Sequence, residues 1–187
     1  MLIGHIYPNK YVFVVLSIVT LAFSHTIGNA ATAEEIDAKV DAVLENFYSD
    51  VGAARKLAPK AEGILVFPSV IEAGIWIGGQ YGEGALRIDG ENYAYYNIAG
   101  ASFGFQFGVQ SKAVILFFMT DESLNNFKNS YGWEAGVHGS VALAKLGAGG
   151  SLDTNTLRQP IIGFVYGNQG LMVNVSLKGS KITRTDK

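Results

Sequence analysis

"SFGFQFGVQ" (residues 102–110) alternates large and small side chains. In an extended chain Phe103, Phe105, Phe107 and Val109 share one face, and Ser102, Gly104, Gln106 and Gly108 share the other. That period of two reads as a β-strand. Glycine weakens a strand, because it loses the most backbone freedom on folding and packs nothing. A glycine face opposite an aromatic row therefore implies that another layer approaches the backbone closely.

The same pattern continues on both sides. Upstream, "GIWIGGQYGEGALRI" (74–88) predicts a long strand or a bent pair, with Gly78, Gly82 and Gly84 on the face of Trp76. "DGEN" (89–92) has the composition of a tight turn, and "YAYYNIAGASFGFQFGVQ" (93–110) returns from it. "GILVFP" (63–68) predicts a short strand that Pro68 ends. Downstream, Gln110-Ser111-Lys112 predicts a turn. "AVILFFM" (113–119), apolar throughout, predicts a central strand buried on both faces. "IIGFVYG" (161–167) and "LMVNVSLKG" (171–179) predict a closing hairpin around Asn168-Gln169, followed by a polar tail. In its second strand Leu171, Val173, Val175 and Leu177 would face one way. Residues 131–151 are rich in glycine and alanine without a clear period, and "LDTNTLRQP" reads as a loop.

Two segments carry a helical period. Over 34–57, Ile36, Val40, Val43, Leu44, Phe47, Val51, Ala54 and Leu57 recur at spacings of three and four. Thr32 and Glu35 have capping-box spacing, acids crowd the first turns, and Arg55 and Lys56 lie in the last. The second segment, "TDESLNNFKN" (120–129), is short, with Thr120 or Asp121 as its cap. The fold class is thus α+β. It is an antiparallel, β-rich single domain, a twisted sheet or a sandwich- or barrel-like form, with an N-terminal amphipathic helix and a short internal one.

Residues 11–23, "YVFVVLSIVTLAF", form an uncharged apolar run preceded by Lys10 and followed by small residues at 28 and 30. This is the pattern of an export signal, cut after Ala30 or, in a second frame, after Ala33. The expected organisation is a signal peptide over 1–30 and a domain over 31–187, with export to the periplasm or cell envelope.

Composition narrows the function. Half the chain is hydrophobic (49%) and 16% is charged, which favours a packed core over disorder. The net charge is −2 and the longest basic run is Arg55-Lys56, so there is no stripe to meet nucleic-acid phosphates. Cysteine is absent, which excludes disulfides and thiol chemistry. With the leader removed, His138 is the last histidine, so neither a metal site nor a cofactor is expected.

One enzymatic pattern occurs: Gly100-Ala101-Ser102-Phe103-Gly104 fits G-x-S-x-G, and Asp121 and His138 follow in triad order. The nucleophile elbow requires a strand, a sharp turn and a helix, whereas here the period-two pattern runs on past Ser102. "GGQYGEG" (78–84) lacks the Gly-Lys-Ser/Thr ending of a phosphate loop. No enzyme is expected. A small outer-membrane β-barrel is the other non-catalytic reading, supported by alternating strands and many aromatics. The unbroken run 113–119 and the helical segments weigh against it.

Taken together, "GILVFPSVIEAGIWIGGQYGEGAL", "ASFGFQFGVQSKAVILFFMTDESLNNF" and "GLMVNVSLKGSKI" resemble the SYLF domain, over about residues 36–183. The resemblance implies a compact β-rich module that binds lipid or membrane without catalysis. Eukaryotic members occur in actin-patch and phosphoinositide-binding adaptors and use a basic amphipathic N-terminal helix. Here the matching helix carries Glu34, Glu35, Asp37, Asp41, Glu45 and Asp50. The partners expected are therefore a lipid or a membrane surface, with room for an envelope protein. Two regions are candidates for that contact. One is the apolar and basic end of the helix: Phe47, Val51, Arg55 and Lys56. The other is a glycine-lined groove built from Trp76, Gly78, Tyr81, Gly82, Gly104 and Gly108. A protein layer over the same glycines, either helix 34–57 or the stretch 135–150, is the competing explanation of that face.

Overall fold

A computed structural model describes residues 30–146, 150–173 and 175–187, with the side chains of 75–77 and 102–108 left out of the description. The leader expected over 1–30 lies, but for residue 30, outside the described residues. Residues 31–187 form one compact unit.

The N-terminal helical period becomes two helices. The first, α1 (Ala33–Asp50), starts at Thr32, whose hydroxyl accepts from Glu35 N while Glu35 accepts from Thr32 N, completing the expected capping box. It ends at Val51, whose φ of −115° and ψ of 75° are not helical. A second, α2 (Gly52–Leu57), follows directly and runs into a single 3₁₀ turn at Ala58–Lys60. The apolar stripe survives this break. Ile36, Val40, Leu44, Phe47, Val51, Ala54 and Leu57 are all buried.

The largest departure from the expected architecture lies in the next two elements. The predicted short and long strands form one strand, β1 (Gly63–Ile88), and β2 (Glu91–Phe118) pairs with it antiparallel from end to end. Pro68 does not end β1. The register shifts between Phe67 and Val70, so the residue that lacks an amide donor falls at a bulge. Nor is there a turn at Gln110-Ser111-Lys112, because Ile71 still pairs with Ser111 and Val70 with Lys112. The turn at Asp89-Gly90 forms as expected, with φ of 54° and 85° at its two residues.

The long hairpin folds back on itself. A Cβ built on Gly82 would lie 2.8 Å from the carbonyl oxygen of Ser69. One built on Gly84 would lie 2.8 Å from Phe67 Cα and would also strike the Val66 carbonyl. At Gly82 and Gly84 the layer that glycine admits is therefore the first half of β1 itself. At these two positions it is neither the helix nor the 135–150 stretch that the sequence offered.

Among the described residues, five further strands complete a seven-stranded sheet. The others are β3 (Trp133–Glu134), β4 (Ala142–Leu143), β5 (Ile161–Gly167), β6 (Gly170–Leu171) and β7 (Lys181–Thr185). The helices α3 (Asp121–Lys128) and α4 (Thr154–Leu157) lie between them in the chain. Thr120 caps α3 as expected, accepting from Ser123 N. The 113–119 run is indeed central, since β2 pairs there with β1 on one side and with β5 on the other. Among the described strands, pairing is antiparallel except between β4 and β5.

Two expectations about the C-terminal part change. The closing hairpin is short: β6 holds only Gly170 and Leu171, and Val173 is exposed while Leu177 is buried, so the expected common face does not form. The "polar tail" is instead strand β7, paired with Tyr95–Ala99 of β2. Its one buried residue, Ile182, is too faint an apolar signal to mark a strand. The 154–157 segment, read as loop, is a single helical turn capped by Asp153.

Alternation sorts the core into two layers. Leu65, Phe67, Val114, Leu116 and Phe118 face the concave side, where the hairpin doubles back, and pack with Phe127 and Trp133. Val66, Ile115, Phe117, Ile162 and Phe164 face α1 and α2 on the other side. That is why 113–119 is apolar at every position.

Candidate functional site

The break between α1 and α2 leaves a cleft of ≈ 510 Å³ against the segment that follows β4, within the size range of small-molecule sites. Val51 and Leu57 wall it from the helical side, and Leu146, Leu152 and Leu157 from the other. Leu146 and Leu152 are joined by a backbone bridge, which holds that wall together. Leu157, in α4, is 44% exposed, so an apolar surface remains open to solvent.

The charged residues at the cleft are Lys56, Lys60 and Asp50. Lys56 and Lys60 are four residues apart and both exposed, so both ammonium groups stay hydrated. Asp50 accepts a hydrogen bond from the Tyr166 hydroxyl at 2.6 Å. That bond, aided by partial desolvation and the nearby charge, pushes the Tyr166 phenol above its usual range and keeps it a neutral donor. Two cations against one engaged carboxylate leave the mouth attractive to an anion, while the walls suit a hydrocarbon chain.

Of the sequence candidates, Val51 and Lys56 meet in this cleft. Arg55 is exposed on the same helix and is not among its walls. Phe47 is elsewhere: it is fully buried, with its ring 5.1 Å from Phe164, 5.6 Å from Tyr166 and 6.5 Å from Phe117. As a surface contact for lipid it is corrected to a core residue. The expected groove is corrected at Gly82, whose open face is filled by Ser69 and Val70. Gly78 is half-buried and Tyr81 is 51% exposed. The backbone pairs Trp76 with Gly104 and Gly74 with Gly108; the side chain of Trp76 and the aromatic row at 103–107 lie outside the described residues. Val109, at the end of that row, is 73% exposed.

Sequence reading missed Lys60, Leu146, Leu152 and Leu157. The Lys56/Lys60 spacing was the one available signal. The leucines come from irregular chain, where no period marks a common face.

The other chemical candidates do not assemble. Ser102 lies within β2, paired with Gly78, so the strand–turn–helix elbow is missing. Asp121 is the exposed first residue of α3. His138 Nδ1 accepts from Glu134 N at 3.0 Å, a local turn contact. Glu72 and Glu83 each pair with a lysine, Lys112 and Lys187 respectively, and do not form a carboxylate pair. Among the described residues no cluster of three metal-ligating side chains occurs. No helix of the described residues is long and apolar enough to cross a membrane. The sheet face that a membrane barrel would turn toward lipid is covered around Val66, Ile115 and Phe164 by α1 and α2.

A family model described as Ysc84, "Las17-binding protein actin regulator", matches residues 99–187. No curated protein matches the chain.

Proposed function

The chain belongs, through residues 99–187, to the SYLF (Ysc84) domain family, and on that premise we propose that it is a non-catalytic lipid-binding module of the bacterial cell envelope. It is exported by cleavage after Ala30 and engages an anionic lipid at the cleft between α2 and α4. The observation that carries this reading is the pairing of apolar walls (Val51, Leu57, Leu152, Leu157) with a cationic mouth (Lys56, Lys60). A free anion would need only the lysines and a neutral apolar ligand only the leucines. The two together match an acyl chain that carries a negative headgroup. Binding energy then has two parts, apolar burial and screened charge attraction, and only the second weakens with salt.

Vesicle flotation tests this. The protein should float with phosphatidylglycerol-containing vesicles more than with pure phosphatidylcholine, and part of that binding should survive raised salt. Lys56→Glu with Lys60→Glu should abolish the preference for the anionic vesicles. Leu157→Asp should weaken binding to both vesicle types. Binding that is absent, or unaffected by all three substitutions, would overturn the assignment of the cleft.

A further inference from the structure

Ala31 lies one residue before the cap of α1, and its main chain is held at both polar atoms. Its nitrogen donates to Glu83 Oε2 at 2.9 Å. Its carbonyl oxygen accepts from Lys187 Nζ at 2.8 Å, and Lys187 Nζ also lies 2.8 Å from Glu83 Oε1. The Glu83 and Lys187 side chains are only 14% and 10% exposed, while Ala30 is exposed. A part-buried carboxylate thus meets a backbone nitrogen that an uncut chain presents as a neutral amide.

We propose that Glu83 and Lys187 form the seat of the mature N-terminus, and that cleavage between Ala30 and Ala31 creates the cation for which this seat is built. The inference rests on the cleavage proposed above. Hydrolysis consumes one water: the Ala30 carbonyl leaves as a carboxylate, and the Ala31 nitrogen takes up a proton to become an ammonium group. At the same position a single neutral N–H donor becomes a charged group with three protons. One proton remains directed at Glu83 Oε2, in a bond that is now charge-assisted. Glu83 then lies between two cations, the Ala31 ammonium and Lys187, with Tyr81 as its other titratable neighbour. The geometry is specific to one terminus. A single extra residue carries the ammonium about 3.8 Å along the chain, away from the carboxylate. Capping and seating also reinforce each other, since Thr32 fixes the chain immediately after Ala31.

Residues 31–187 are a compact unit that holds both hydrophobic cores, so the mature chain can be compared with a chain one residue longer. Chains starting at Ala31 and at Ala30 would be released from a removable fusion, each with Glu83 intact and as Glu83→Gln. The Ala31 chain should melt higher than the Ala30 chain, and the gap should vanish in the Glu83→Gln pair. Equal melting temperatures, or a gap that persists without the carboxylate, would overturn the seat. If Glu83→Gln does not fold, labelling of the α-amine by a small acylating reagent at pH 7 decides between the two wild-type chains. A pairing that raises the amine pKa by one unit slows labelling about tenfold in the Ala31 chain, and equal rates would overturn the proposal. Intact mass of the protein recovered from an exporting bacterium tests the cleavage itself. A different terminus there overturns the processing premise, whereas loss of coupling to Glu83 overturns the seat alone.

Discussion

Lys112 Nζ sits 2.7 Å from Oε2 of Glu72, and both side chains are more than nine-tenths buried. They project from diagonal positions of the long hairpin, since Val70 pairs with Lys112 and Glu72 with Gln110. Removing the Glu72 carboxylate from this buried ion pair leaves the Lys112 ammonium without the counter-charge it is seen to hold, at a cost of about 3–5 kcal/mol. Glu72→Gln should therefore lower the stability measured by urea unfolding by about 3 kcal/mol. An unchanged midpoint would mean that the pair contributes nothing to the hairpin.

The two classes of glycine should respond with opposite signs. Gly84→Val forces a side chain against Phe67 and the Val66 backbone, so it should cost at least the roughly 1–3 kcal/mol typical of overpacking. Gly79 has nothing nearer to a built Cβ than the Gly100 oxygen at 4.0 Å. There valine gains strand propensity at no steric cost, and Gly79→Val should be neutral or slightly stabilising. Thermal melts of both variants read this directly; equal losses would refute the doubled-back packing.

Phe47→Ala should destabilise the protein by about 3–5 kcal/mol, the range for deleting a large buried ring. A charged residue at 47 should unfold the chain rather than detach a folded protein from vesicles. Circular dichroism of the variant distinguishes the two results.

Acid stability should depend on Glu83. Partial desolvation pushes its carboxyl up, but Lys187, the Ala31 amide and the Tyr81 hydroxyl outweigh that and hold it below its ordinary value of 4.5. A carboxyl depressed in the folded state stabilises fully above the unfolded value and loses that stabilisation as pH falls through the folded one. The stability difference between wild type and Glu83→Gln should be flat near neutrality and shrink as pH drops below 4.5. A difference that does not change over that range would contradict the pairing.

Local signals were readable where a residue and its partner lie close in sequence. Thr32 and Glu35 announce the cap of α1, Asp89-Gly90 announces the turn, and the unbroken 113–119 run announces a strand with two covered faces. Long-range packing was not readable in the same way. Pro68 and Gln110-Ser111-Lys112 have the composition of strand ends, yet pairing with the opposite strand overrides both. Gly82 and Gly84 signalled that some layer approaches, but nothing local to them names Ser69 and Phe67 as that layer. The site was half legible for a related reason. Val51 and Lys56 stand out on a periodic helix, whereas Leu152 and Leu157 come from irregular chain that only the fold brings to the same cleft.

The family match begins at residue 99, and Ala99 is the hairpin partner of Tyr81. The matched region therefore starts in the middle of a strand, at a point with no turn, linker or change of layer. A polypeptide trimmed to that boundary would keep β5, β7 and most of β2. It would lose the strand that brings Leu65, Phe67, Val70 and Leu86 to the concave core, and every helical residue of the other core. Its central run 113–118 would be left with a bare edge where β1 had paired, an invitation to aggregate. The family model covers the second half of this chain, but the obligation to fold binds both halves, and anyone cutting the gene at the edge of that match would cut through a hairpin.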